Sequence, residues 1–492
     1  MKLYKEYYLH QNWMEHHAVY FALLWFFLIS ILTALRYSST CVNADVLLNS
    51  IMSLQNVTLY YWGQNRLINV LPFFLSSFTN TKLNLTMLLL VTPLSFYAFV
   101  YLCAKMISSI THENSVVSLK LFIVLSSLPL FVLNDSGISQ LSIGHIEYAL
   151  PALLTAVAFS LFFKAKNYIF LCLANFFLIV AIGMNPTTIL PIVFILIVTA
   201  IFHKNVKKIG IIFLITSIFS FFIWNYTASL YGNLSYSHFN PKHLPFNLMK
   251  VIVGIVNAIN FRALFIMFAV LLLYKFTLVV FDQKKYPIFN MVQRYIFLSA
   301  TLFAVGFSLV FGSNKWIEIN DFDWRYFSYA VFSCLIMVGL VLLSVIKCLS
   351  KTASAVFTAA VLLAVVSSTA TRPIAYEKFR AFAEVDAVCP ESHVLYAGDY
   401  WLAWPAVLRD LLHGRQAFGL AYRGEGNREK TLTFVQGEME RQGAFSTFCL
   451  NASAEICKKQ IENVVGPVRL QHVVQRREKV LELTAVLAQA EP

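Results

Sequence analysis

Apolar residues run in long, nearly unbroken blocks up to residue 370, then give way to short alternating and helical patterns. Eleven blocks have the length and composition of a bilayer crossing: about 18–35, 84–104, 119–133, 148–163, 168–184, 188–202, 209–225, 254–274, 295–312, 326–346 and 352–370. A hydrocarbon core of about 30 Å takes roughly 20 apolar helical residues, so each block predicts a transmembrane helix. The first block begins late, is long, and lacks a small-residue cleavage pattern before Arg36. It therefore predicts a retained span rather than a cleaved signal peptide. The polar stretch between the first two blocks, 37–83, is long. Within it, 45–59 has helical apolar spacing, and 67–78 is apolar but too short to span; both predict helices lying along the membrane surface. The stretch 226–253 is also long, and is rich in aromatic residues.

Beyond 371 the periodicity predicts strands at 393–398, 417–422 and 445–450 and helices at 401–412, 428–441 and 454–465, the last closed by Gly466-Pro467. Residues 468–474 and 480–487 predict a final hairpin. The expected fold is mainly α: a polytopic transmembrane bundle over 1–371, then a small extracytoplasmic α/β domain over 372–492. No internal repeat, phosphate loop or catalytic triad is legible.

The net charge of +13 raises the question of a nucleic-acid partner, but its distribution answers in the negative. Residues 1–371 hold 23 Lys+Arg and 10 Asp+Glu, whereas 372–492 hold 15 of each. The excess sits in alternate loops, at Lys2 and Lys5, Lys105 and Lys120, Lys164 and Lys166, Lys204, Lys207 and Lys208, Lys284, Lys285 and Arg294, and Lys347 and Lys351. Short cytoplasmic loops carry such an excess. The N-terminus is thereby predicted inside, and eleven crossings put the tail outside. Lys outnumbers Arg 18 to 5 before the boundary, and Arg outnumbers Lys 10 to 5 after it. That shift fits a mosaic of two coding histories. Cys389, Cys449 and Cys457 fall in the predicted outer domain, where one disulfide is permitted and its pairing stays open. Cys103, Cys172 and Cys334 lie in predicted spans as small apolar filler. No Cys/His spacing resembles a zinc site.

The acids concentrate opposite the lysines. Asp45, Asp135, Glu147, Glu318, Asp321 and Asp323 all lie in or beside predicted outer loops. Asp45, just beyond the first span, suits a general base on a sugar hydroxyl; it equally suits a helix N-cap before Val46-Leu47-Leu48. Arg66 follows Tyr61-Trp62-Gly63-Gln64. A guanidinium binds phosphate through paired, charge-assisted hydrogen bonds, and the aromatics suit a sugar face or an interfacial belt. Asp135 opens the second outer loop, and His145 and Glu147 close it where the next span begins, a costly place for ionisable groups. Arg325 enters the tenth span with Tyr326; it reads either as a second phosphate ligand or as a snorkelling helix-end Arg. Asp321 and Asp323 form a weak candidate for a divalent metal.

With Asp45 in the first outer loop, surface helices beside it, Arg325-Tyr326 near a late outer loop, an odd span count and a soluble outer tail, residues 1–371 resemble the polytopic glycosyltransferases of the GT-C class. The resemblance implies a polyprenyl-phosphate sugar donor, a glycan or glycolipid acceptor, contact with membrane lipid and a flippase that supplies the donor. It places the active site on the outer face of the bacterial inner membrane. Glucosyltransferases that decorate O-antigen of lipopolysaccharide are the narrowest match. It implies Asp45 as base with inversion at the anomeric carbon, Arg66, Arg325 and His145 on the donor phosphate, and Tyr61, Trp62, Gln64, Asp135, Glu147 and Tyr326 on substrate. Many members carry two adjacent acids in the first loop. Ala44-Asp45-Val46 has one, which leaves metal dependence open: no cofactor is certain, and a divalent metal is a possibility without further support. A polysaccharide polymerase, a flippase or another multi-span transporter of lipid-linked glycans is the alternative. A transporter predicts broken helices and midplane charges, whereas the charges here lie toward the outer surface.

Overall fold

The computed structural model describes residues 2–58, 61–62, 68, 70–134, 137–138, 142, 146–164, 168–202, 207–230, 244–258, 291–314, 317–318, 324–348, 356, 358–363, 365, 379, 382, 393–421, 432–442, 444–477 and 480–487. Four helical stretches, His17–Ser38, Thr81–Ser109, Ser115–Val132 and Arg325–Leu342, are long and apolar enough to cross a membrane, and six shorter apolar stretches accompany them among the described residues. A mixed five-stranded sheet follows. This is the architecture of a multi-pass membrane protein with an α/β tail. Much of the predicted spans 254–274 and 352–370 lies outside the described residues.

The first span belongs to α1 (Lys2–Cys41). One face of it, Phe21, Leu24 and Phe27, is exposed, while Ala22, Trp25 and Ile29 are buried. The buried face packs on α4 (Thr81–Ile110) and α5 (Ser115–Val132). Polar bonds tie these helices where lipid offers no alternative partner. Trp25 Nε1 donates to Ser126 Oγ at 2.8 Å, and Thr33 Oγ1 and Tyr97 OH are 2.9 Å apart. Such bonds contribute about 0.6 kcal/mol each. After them come α6 (Ile146–Lys164), α7 (Tyr168–Met184), α8 (Ile189–Phe202), α9 (Lys207–Leu230), α10 (Leu244–Ala258), α11 (Met291–Gly312) and α12 (Ser328–Cys348). A 3-10 turn, Trp324–Phe327, leads into α12.

The first interspan stretch holds α2 (Ala44–Gln55) and α3 (Val70–Leu75). Both were expected to lie along the membrane surface. α3 leaves Phe73 and Phe74 exposed, but α2 is buried on every side from Ala44 to Ser53. The reason is a second covering layer: the tail packs onto it. Asn84, fully buried on α4, anchors α2 from below. Its Oδ1 accepts from Ser50 Oγ at 2.7 Å, while its Nδ2 donates to Ser53 Oγ, Leu75 O and Phe78 O.

In the tail, β1 (His393–Gly398) pairs in parallel with β2 (Gln416–Gly419) and with β3 (Ala444–Leu450), while β5 (Val480–Leu487) runs antiparallel to β3 and to β4 (Val468–Arg477), in the order β2-β1-β3-β5-β4. The helices are α13 (Tyr400–Leu412), α14 (Phe434–Gln442) and α15 (Ala454–Val465). The β1-to-α13 turn is tight. Gly398 has φ +99°, and a Cβ there would collide with Leu450 O. Asp399 N donates to that same Leu450 O at 2.8 Å, and Asp399 Oδ1 caps α13 by accepting from Trp401 N at 2.7 Å. Cys449 and Cys457 form a disulfide linking the end of β3 to α15. Cys389 lies outside the described residues. Buried Asp410 on α13 accepts from Tyr396 OH at 2.7 Å and pairs with Arg415 at 3.2 Å. Burial pushes its carboxyl above the usual range, while Tyr396 and Arg415 pull it back.

Candidate functional site

α2, α3, the N-terminal part of α4 and the elements of the tail share one hydrophobic core. This matters for Asp45, because the site lies where two bodies of different composition meet. Asn43, not Asp45, is the N-cap of α2: its side chain accepts from Val46 N at 3.1 Å. The cap reading of Asp45 is therefore corrected. Asp45 occupies the first turn, where the positive end of the helix dipole favours a carboxylate. It is 2% exposed. Tyr400 OH, from the first turn of α13, donates to Asp45 Oδ1 at 2.8 Å. The Asp45 carbonyl accepts from Tyr61 OH at 2.6 Å and from Asn49 Nδ2 at 3.0 Å. Tyr61 thus orients the backbone that carries the acid.

Trp62 is fully buried in the same interface. Its ring lies 4.6 Å from Phe434 and 6.0 Å from Trp404, both of the tail. Gln55 Nε2 adds a bond to Ala417 O at 2.6 Å. In this structure tail side chains cover Trp62, the residue expected on a sugar face or in the headgroup belt.

Arg325 is 9% exposed, which corrects the snorkelling alternative. Its guanidinium lies over the Tyr326 ring at 4.9 Å and over the Trp401 ring at 6.0 Å, and Nη2 donates to Tyr326 OH at 3.2 Å. Attraction to the two ring faces offsets part of the cost of burying this cation. Asp45 and Arg325 are 280 positions apart in the chain, yet they meet the consecutive residues Tyr400 and Trp401.

Glu147 lies in the first turn of α6, 5% exposed, and its carbonyl accepts from Asn185 Nδ2 at 2.9 Å. Its side chain lines a small cavity with Asn49, Tyr61, Ile68, Leu71, Ile146 and Met184. The structure therefore brings Tyr61 and Glu147 to one cavity, with Asn49 linking that cavity to Asp45. Gln64, Arg66, Asp135, His145, Asp321 and Asp323 lie outside the described residues. Among the described residues no three His, Cys, Asp or Glu side chains gather as a metal site.

Tyr400, Trp401 and Asn49 escaped sequence reading. A signal for the first two exists. Tyr400-Trp401-Leu402-Ala403-Trp404 opens a helix that is apolar on more than one face, and such a helix needs two partners. The chain matches no family model and no curated protein.

Proposed function

We propose that this chain is a GT-C-like membrane glycosyltransferase that moves a sugar from a polyprenyl-phosphate donor to a glycan or glycolipid acceptor. In this reading eleven spans place the N-terminus in the cytoplasm and the tail in the periplasm. The observation that carries it is the buried Asp45 carboxylate at the start of an outer-loop helix, joined through adjacent tail residues to a buried Arg325. Asp45 takes the proton from the acceptor hydroxyl. The oxygen attacks the anomeric carbon opposite the phosphate, the glycosidic bond to phosphate breaks, and Arg325 with Arg66 stabilises the departing polyprenyl phosphate. Charge developing in the transition state meets fixed positive groups, usually the largest catalytic contribution.

Asp45→Asn tests this reading. The amide oxygen still accepts from Tyr400, so docking survives while basicity is lost. Turnover of polyprenyl-phosphate sugar is expected to fall by about 10²–10⁴-fold. A second reading has a specific observation behind it: Glu147 lines a cavity with Tyr61 and Asn49. Unchanged turnover in Asp45→Asn, with loss in Glu147→Gln, would move the base there and leave Asp45 as a docking residue. Topology has its own check. A reporter fused after residue 400 is expected to be active only outside the cytoplasm, and one after residue 206 only inside; a cytoplasmic tail would sink the assignment.

A further inference from the structure

We infer that the C-terminal domain completes the proposed site by supplying two positioning residues: Tyr400, which holds the Asp45 carboxylate, and Trp401, which holds the Arg325 guanidinium. The inference rests on the glycosyltransferase reading and adds a role for the tail. Two geometric facts support it. The Tyr400 hydroxyl reaches Asp45 Oδ1 at 2.8 Å across 355 positions of sequence, and the next side chain in the helix lies over Arg325. Consecutive residues at a helix start cannot move independently, so one rigid turn sets the separation of base and cation. That turn is itself fixed. Asp399 caps it, Leu450 O and Asn451 Nδ2 hold Asp399, and the Cys449–Cys457 disulfide brackets the segment carrying both.

The chemistry explains why such a fixture helps. A carboxylate acting as base has to keep one orientation toward the acceptor, and a fixed donor removes its alternative rotamers at no reorganisation cost during reaction. Ring contacts fix the plane of the guanidinium, and a fixed guanidinium plane suits bidentate recognition of phosphate. The rest of the interface, including Trp62, Trp404, Phe434 and Gln55, docks the tail.

The test uses the full-length protein in detergent, with polyprenyl-phosphoryl glucose as donor, lipopolysaccharide as acceptor, and polyprenyl phosphate alone as the binding probe. Tyr400→Phe is expected to lower kcat roughly 10-fold or more, the scale of a hydrogen bond to a charged group, with donor KM within about twofold. Its effect is expected to vanish in the Asp45→Asn background, since both act on one carboxylate. Trp401→Ala is expected to weaken polyprenyl phosphate binding roughly fivefold, and Trp401→Phe to restore most of it, as a ring face remains. Gln55→Ala serves as the docking control and leaves kcat unchanged. If Tyr400→Phe keeps wild-type kcat in an active enzyme, or Gln55→Ala loses as much as Tyr400→Phe, the tail is only a structural cover and the inference is overturned while the activity stands. A wild-type chain that neither binds polyprenyl phosphate nor consumes donor overturns both readings together.

Discussion

In α1 the exposed positions include Phe21, Leu24 and Phe27, and the buried ones include Ala18 and Ala22 beside Trp25 and Ile29. In α15 the exposed positions include Glu455, Lys459 and Asn463, and the buried ones are Cys457, Ile461, Val464 and Val465. The two helices invert their surfaces because their solvents differ. Lipid takes large apolar side chains at no cost, so they can stay outside while small residues such as Ala18 and Ala22 join the helix contact. Water drives the large ones inward. A third case lies between these. α2 and α13 pack against each other; α2 is buried from Ala44 to Ser53, and α13 is buried over most of its length, with Trp401 exposed at its start. Buried residues there answer to packing on both sides, so the same residue type carries a different weight in each of the three zones.

Substituting large aromatics in each zone puts that contrast to work. Trp404→Ala empties a fully buried position between α2 and the tail sheet, against Trp62 and Gly419. A loss of about 3–5 kcal/mol is expected, measured as a lower denaturation midpoint of the tail together with faster hydrogen exchange in α2. If exchange rises in the tail alone, the shared core does not couple the two parts. The disulfide comes next. Cys449→Ser with Cys457→Ser is expected to cost the tail about 2–3 kcal/mol by the loop-closure argument, seen as faster exchange in β3 and α15. Exchange in α4 and α5 is expected to stay unchanged, because the disulfide closes a loop within the tail. The smallest effect belongs to Phe219→Ala in α9. That ring is 65% exposed on an apolar helix, and its loss is expected to change thermal stability in lipid by less than about 0.5 kcal/mol. A large destabilisation would mean that Phe219 faces protein and not lipid.

How far the sequence reaches differs by zone in the same way. The tail was legible almost element by element, since alternation and 3.6-residue periodicity are strong when one face meets water. Its strands at 393–398 and 445–450 and its helices at 401–412 and 454–465 all appear, as does the closing hairpin. The helices of the bundle were legible as blocks, because a bilayer demands unbroken apolar length. α2 is the exception. Its apolar spacing reads as a surface helix, because nothing local announces that a domain more than 300 residues later covers it. The cap of α2 was misplaced by two residues for a smaller reason: Asn43 and Asp45 are both good caps, and backbone geometry chose Asn43.

Asp45, Tyr61 and Arg325 were picked out from residue type and loop position alone. Charge asymmetry and apolar length are local properties written directly into the chain, and they determined a multi-span helical bundle with a distinct tail. Which side chains meet was decided only in three dimensions. The Tyr400–Asp45 bond, the Trp401–Arg325 contact and the burial of Trp62 all depend on how far-separated segments close on one another. No short-range pattern encodes such closure, because burial belongs to the packed whole and not to any segment of it.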